Sequence, residues 1–298
     1  MTPVLVVAGV TLAGLALRDI LHELFHPGGS GTISRQIMRA VWRLFRWIGA
    51  RRPSALPLAG PVTLVTVLIC WALMLAVGWA LVYWPFLPDA FRLASPLTPS
   101  TQDGFDDALY VSLVSLSTLG FGDVTPIPAW LRIVATVEGL VGFALLTAGI
   151  SWILMLYPVL TRRRAFASRV LVLDEARRRT SVSIAEREPT DAARLLDDLT
   201  AQLTVLRADL MLSPISYYFH DNDPSVALSR ALPLVLRTAG TFDQSGSASA
   251  RHAAAALAGA ADAFAALVAA AYLGMAGQPT GAILTAYQRE HPHRQREE

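Results

Sequence analysis

Lysine is missing from this chain, so its 25 strongly basic residues are all arginine. Charge of either sign is scarce. Only 16% of the residues are charged and 53% are hydrophobic, against about 25% charged in a typical soluble domain. That balance excludes an ordinary soluble globular chain. The net charge of +2 is too small to support a nucleic-acid-binding face. A single cysteine, Cys70, lies in an apolar run. It excludes an intrachain disulfide framework and reads as a small buried residue. No G-x-G-x-x-G follows a strand-like run, so a Rossmann-type nucleotide domain has no support. The start, MTPVLVVAG, lacks a positive region and a small-residue cleavage site, and is expected to be a retained membrane helix rather than a removed signal peptide.

Long apolar runs are what the chain does have. Val4 to Leu17 is apolar, and about 20 residues are needed to span a bilayer. The helix reaches that length by carrying Arg18 and Asp19 near its inner end, where Arg18 can snorkel, and Pro27-Gly28-Gly29 stops it. Ile33 to Ile48 is amphipathic. Ile33, Ile37, Val41, Phe45 and Ile48 recur at helical spacing, Arg35, Arg39, Arg43 and Arg46 lie to another side, and Trp42 and Trp47 flank them. Such a helix lies in the headgroup layer, either as a passive anchor or as a lipid-sensing element. With Arg51 and Arg52 it marks the cytoplasmic side. Pro61 to Phe86 is free of charge and predicts a spanning helix with Trp79, Tyr83 and Trp84 in an interfacial belt. Leu87 to Gln102, with Pro88, Pro96 and Pro99, reads as an extracellular loop.

Asp103 to Ser117 predicts a short helix. Asp103, Asp106 and Asp107 suit its positive N-terminal end. It rises only about 20 Å at 1.5 Å per residue, so it enters and leaves the membrane by one face. Ala129 to Tyr157 predicts a second long spanning helix, entered through Pro126 and Pro128. Arg162-Arg163-Arg164 is expected to close it on the cytoplasmic side.

Between these helices lies Ser117-Thr118-Leu119-Gly120-Phe121-Gly122-Asp123. Irregular backbone at membrane depth is tolerated only inside protein or beside a watery path. Glycines at alternate positions permit positive φ and let successive carbonyls turn the same way. A row of such oxygens can replace the hydration shell of a cation. The residues Thr118 to Asp123, TLGFGD, resemble the TVGYGD filter of the tetrameric potassium-channel pore family. The resemblance covers about residues 61–158, where outer helix, pore helix, re-entrant strip and inner helix follow in order.

The resemblance implies a homotetramer with potassium ions held by Thr118, Leu119, Gly120, Phe121, Gly122 and Asp123, passive permeation without catalysis, and no organic cofactor. Ser117 and Tyr110 would support the strip from the pore helix. Family members often hinge at a mid-inner-helix glycine, and Gly142 lies at the matching distance. Close helix packing is the other reading of that glycine. Leu146, Ile150 and Leu154 could line the cavity or a hydrophobic gate. The sequence departs from the family at Leu119 for Val and Phe121 for Tyr. Val114 stands where some bacterial members have a glutamate that pairs with the filter aspartate, which leaves Tyr110 as the candidate partner of Asp123. No run carries arginines at regular spacing through a spanning helix, so there is no voltage sensor.

The expected fold is therefore an all-α membrane protein in three parts: 1–60 with the N-terminal membrane helix and interfacial helix, 61–160 with the pore, and 161–298 as an all-α cytoplasmic regulatory domain. Its expected setting is a bacterial inner membrane, with lipid headgroups or an unidentified cytoplasmic ligand as partners besides the bilayer and the other subunits. In the tail, Thr190 is a candidate cap for a helix carrying Leu196, Leu199, Leu203, Leu206 and Leu210 at 3,4 spacing. Tyr217 to Asp223 reads as a turn and cap rather than a calcium loop, and Ala250 to Met275 as a packed soluble helix because of Asp262. Rival readings are a non-selective cation channel, a membrane-tethered sensor with a closed pore, and a zinc metalloprotease. The last rests on His22, Glu23 and His26, which match H-E-x-x-H.

Overall fold

The structure, a computed structural model of the 298-residue chain, describes residues 2–25, 31–94, 104–242 and 247–292. His26, Pro27 to Gly29, Pro96, Pro99 and Asp103 lie outside them, as do residues 293–298. Among the described residues the chain is almost wholly helical: α1 (Thr2–Phe25), α2 (Thr32–Gly49), α3 (Ala59–Tyr83), α4 (Phe105–Leu116), α5 (Ala129–Thr180), α6 (Pro189–Leu212), α7 (Leu228–Gly240), α8 (Ala248–Val268) and α9 (Thr280–Glu290). Two three-residue strands, β1 (Phe91–Leu93) and β2 (Val124–Pro126), pair antiparallel with Phe91 opposite Pro126 and Leu93 opposite Val124. Helices over Thr2–Leu24, Ser54–Phe86, Ala129–Thr180 and Ala248–Leu273 are long and apolar enough to cross a membrane.

The chain divides into two compact units. The first holds residues 1–40 and 62–155. In it α1 and α3 cross backbone to backbone. A methyl at Gly9 would lie 2.4 Å from the Gly78 carbonyl oxygen, and one at Gly78 would lie 2.9 Å from the Ala13 nitrogen. Only small residues allow that approach, which is the usual way membrane helices gain packing without a hydrophobic drive. Asp19, buried near the C-terminal end of α1, accepts from the Ile33 and Ser34 amides at 2.9 and 3.0 Å, from Ser34 Oγ at 2.5 Å and from Trp71 Nε1 on α3 at 3.0 Å. One carboxylate thus caps α2, filling the acceptor role that its orphan N-terminal amides require. Toward the other end of α3, Ala80, Tyr83, Leu87, Phe91, Ala108 and Leu131 form a core that seats α4.

The second unit holds residues 41–61 and 156–298. Leu196, Leu199, Leu203, Leu206 and Leu210 are buried along α6, which packs against α8. Ala253, Ala254, Leu257, Ala261, Phe264, Ala265 and Val268 line the buried face of α8, and Asp262 accepts from Thr280 Oγ1 at 2.6 Å. The cap of α6 differs from expectation. Glu188 holds the N-cap position with Pro189 in the first turn, and Thr190 lies inside the helix, because a proline at N1 already fixes the helical φ.

The inner helix also differs from expectation. It continues through Arg162-Arg163-Arg164 to Thr180, and Ser181 ends it at φ +54°. A charge run marks topology but breaks no helix. From Val159 to Thr180 there is no glycine or proline, and Asp174 with Arg178 and Glu175 with Arg179 pair at i,i+4.

Candidate functional site

The strip between α4 and β2 is built from both ends. At its entrance α4 starts with Asp107 accepting from the Gly104 amide at 3.2 Å and ends at Leu116. Ser117 then turns its hydroxyl back to the Leu113 carbonyl, 2.6 Å away. The amides of Thr118 and Leu119 donate to the Ser115 and Val114 carbonyls at 3.0 and 3.1 Å. At its exit the Asp123 carbonyl accepts from the Ala94 amide at 2.8 Å, and β2 pairs with β1. The strip is therefore held as a loop between the end of α4 and the paired strands β1 and β2.

Within the strip, φ is positive at every second residue: +58° at Thr118, +57° at Gly120 and +77° at Gly122. The two glycines reach that region without steric cost. Thr118 does not, and a side chain there costs about 1–2 kcal/mol. Leu119 and Phe121, the intervening residues, are 61% and 65% exposed in the single chain.

Asp123 is fixed by two donors. Its Oδ2 accepts from Tyr110 Oη at 2.6 Å, and its Oδ1 from the Val124 amide at 3.1 Å. The same hydrogen bond raises the Tyr110 phenol above its ordinary value, because the carboxylate prefers the protonated hydroxyl. Tyr110 thus stands one turn before Val114 on α4, joined to the last residue of the TLGFGD segment.

The inner helix lies against the end of α4. A methyl at Gly142 would fall 1.8 Å from the Leu116 carbonyl oxygen, and one at Gly139 would lie 3.5 Å from that of Ser115. Close approach alone is reason enough for glycine at 142. Leu146, Ile150 and Leu154 come next on α5, 63%, 52% and 65% exposed.

Sequence reasoning missed Glu138. It is buried on α5, with Tyr83 Oη donating to its Oε2 at 2.6 Å and Ser112 Oγ to its Oε1 at 2.5 Å. The signal was available as the lone acid in the apolar stretch of α5, since acids inside membrane helices are rare and paired.

The second unit also holds partners that spacing does not reveal. Arg163 is buried and donates to Asp221 Oδ2 at 2.7 Å and to the Ser216 and Phe219 carbonyls at 2.7 and 2.8 Å. Arg164 takes Asp221 Oδ1 at 2.6 Å, and Arg162 grips Asp209 with two bonds of 2.8 and 2.6 Å. Asp223 caps the short helix Pro224–Val226 by accepting from the Ser225 amide. The aromatic-acidic run is thus spent on an arginine pair and a cap.

No group of three or more His, Cys, Asp or Glu side chains able to hold a metal occurs among the described residues. Glu23 Oε2 accepts from the Gly31 amide at 2.8 Å, and His26, the last residue of the H-E-x-x-H match, lies outside the described residues.

Residues 62–157 match the model of an ion-channel family. Among curated proteins the chain is similar to the membrane protein YdjJ of Bacillus subtilis, 27% identical over 169 residues, 56% of this chain and 48% of that one. It is also similar to Protein LctB of Bacillus caldotenax, 33% identical over 81 residues, 26% of this chain and 60% of that one. The chain thus spans 48% and 60% of these relatives' lengths. No solved structure matches. The chain is an all-α membrane protein, and the segment that carries the strip, residues 62–157, is similar to an ion-channel family.

Proposed function

We propose that this chain is one subunit of a potassium-selective channel in which four re-entrant strips meet on a central axis. The alternation of positive φ at Thr118, Gly120 and Gly122 is the observation that carries this reading. Backbone that switches hand at each residue can present successive oxygens to one side, as a dehydrated cation requires. The proposed cargo sites are the oxygens of Thr118 to Phe121, with Asp123 bracing the outer mouth. Assembly of four copies is supported by exposed apolar surface. Only 17% of the apolar window of α5 is buried in the single chain, and Phe143, Leu146, Ile150 and Leu154 are all exposed. Contiguous apolar surface of that kind calls for lipid or another copy. The end of α4 points its partial negative charge in the direction the chain takes into the strip, which favours a cation there.

Gating belongs to the same proposal. The inner helix passes without a break from the pore segment into the second unit, where Asp209 on α6 holds Arg162 and the loop residue Asp221 holds Arg163 and Arg164. A change in that unit reaches the pore through α5.

The test is flux from the purified full chain in liposomes. Potassium efflux that sodium cannot replace supports the proposal. Equal sodium flux favours a non-selective cation channel, and no flux of either ion in lipids of varied composition overturns the channel reading.

A further inference from the structure

Glu138, Ser112 and Tyr83 are each 0% exposed. They come from three different elements of the first unit: the inner helix α5, the short helix α4 and the end of α3. The carboxylate divides its two oxygens between the other two elements, Oε1 to Ser112 and Oε2 to Tyr83, at 2.5 and 2.6 Å. An apolar residue of similar size would pack the same space without the cost of taking a carboxyl out of water. What the acid adds is geometry. Short hydrogen bonds to two hydroxyls fix where α4 stands relative to α5 along the helix axes, which dispersion contacts do not.

One turn further along, the same two helices meet again. Glu138 precedes Gly142 by four residues, and Ser112 precedes Leu116 by four. Gly142 lies against the Leu116 carbonyl, where a methyl would fall at 1.8 Å. The two helices are therefore joined at two successive turns, first through Glu138 and Ser112, then backbone to backbone. Leu116 leads directly into Ser117 and Thr118. A tilt or rotation of α5 cannot leave α4 in place without breaking the Ser112 bond or opening the Gly142 contact.

We infer that Glu138 is a positioning residue that couples the inner helix to the strip, through Ser112 on one side, with Tyr83 as the fixed anchor on the other. The inference rests on the channel reading above. Movement of α5 passes through the Glu138–Ser112 bond to the end of α4, and so alters conduction at the strip as well as at any gate formed by the inner helices.

The experiment uses the full chain in liposomes, with potassium and sodium flux measured for wild type, Glu138→Gln, Ser112→Ala, Tyr83→Phe and the double variant Glu138→Gln/Ser112→Ala. Glutamine keeps the volume but offers one acceptor and one donor, so one hydroxyl must turn from donating to accepting, which changes the geometry of that bond. Loss or distortion of a buried hydrogen bond should reduce potassium flux about tenfold in Glu138→Gln and in Ser112→Ala. The ratio of potassium to sodium flux should fall in both. The double variant should be no worse than the worse single one, as expected for partners in one interaction. Tyr83→Phe removes one oxygen and keeps the ring, so it remains informative if Glu138→Gln fails to assemble, and it should lower the same ratio more mildly. A merely structural role would lower the yield of folded protein and leave the ion ratio of what folds unchanged. That outcome, or losses that simply add in the double variant, overturns the inference. Wild-type potassium flux with unaltered variants sinks this inference alone, whereas absence of wild-type flux sinks the channel reading together with it.

Discussion

The Tyr110 hydroxyl stands 2.6 Å from Asp123 Oδ2, so the middle of α4 is tied to the far end of the strip it feeds. Tyr110→Phe removes that bond alone, leaving the ring in place. Asp123 keeps only the Val124 amide. If the proposed potassium channel is right, the expected results are an unchanged fold by circular dichroism and a several-fold faster loss of conduction when external potassium is lowered. The sign of the pH effect comes from the raised Tyr110 phenol. The bond is fully present below the ordinary tyrosine value, about 10, and is lost as the pH rises through the higher folded value. A wild-type channel that loses outer-mouth stability on mild acidification, with Tyr110→Phe unaffected, would contradict this.

Gly120→Ala tests the backbone of the strip. Nothing lies within 4 Å of a methyl built at Gly120, so crowding is not the issue. The cost is the left-handed φ of +57°, about 1–2 kcal/mol for a residue with a side chain. Relief of that cost moves the carbonyls out of line. On the proposed channel reading, potassium flux should vanish while the helical content and the melting of the second unit stay as in wild type.

Much of this is legible in the sequence, and the reasons are particular. The spans of α1, α3 and α5 announce themselves because apolar runs near 20 residues have few other uses. The strip is legible because glycine at alternate positions has a backbone meaning. Glu138 is not legible in the same way. Its partners are 55 and 26 residues distant in sequence, and a lone acid in an apolar run names no partner. Thr118 shows in the sequence only as the first residue of TLGFGD, and nothing in its side chain predicts φ +58°. The triple arginine shows in the sequence only as a topology marker, since Asp209 and Asp221 lie 47 and 58 residues beyond their partners Arg162 and Arg163. The strands β1 and β2 have three residues each, too few for a period of two to show.

Arg163 and Arg162 should differ sharply despite being neighbours. The Arg163 and Asp221 side chains are only 9% and 5% exposed. Arg163→Ala leaves the buried Asp221 to Arg164 alone and strips two carbonyls of their donor, a loss of about 1–3 kcal/mol. Arg162 is 46% exposed, and Arg162→Ala should cost less than about 1 kcal/mol after solvent screening. Thermal melts of the full chain in detergent, monitored by circular dichroism, should show a large drop for the first variant and a small one for the second. Equal drops would mean that Asp221 is held by Arg164 alone.

Asp19→Ala should release the start of α2. Four donors lose their acceptor, two of them amides at the N-terminus of that helix. Loss of a cap costs about 0.5–2 kcal/mol, and the buried indole of Trp71 adds to it. Hydrogen exchange at Ile33 and Ser34 should speed up by about tenfold or more, with the exchange of α3 little changed. Unaltered exchange at those two amides would assign the capping to some other group.

At the other end of α2, Trp42 sits among Tyr217, Tyr218 and His291, with ring centroids 6.2, 5.9 and 5.0 Å away. Glu290 accepts from Trp42 Nε1 at 3.3 Å and from Tyr217 Oη at 2.6 Å, and also pairs with Arg46. Burial first, then the Glu290 charge, raises the Tyr217 phenol, and burial lifts Tyr287 to about 12. Both tyrosines therefore stabilise the second unit fully below about pH 10, the unfolded value, and that stability drains away as the pH climbs toward the folded values. Glu290→Gln keeps the shape and removes the charge that Arg46 and the two aromatic donors share. It should shift Trp42 emission to the red and lower the melting temperature by a few degrees at neutral pH. If Trp42 emission and melting stay at their wild-type values, Glu290 is not what holds α2 to the tail helices.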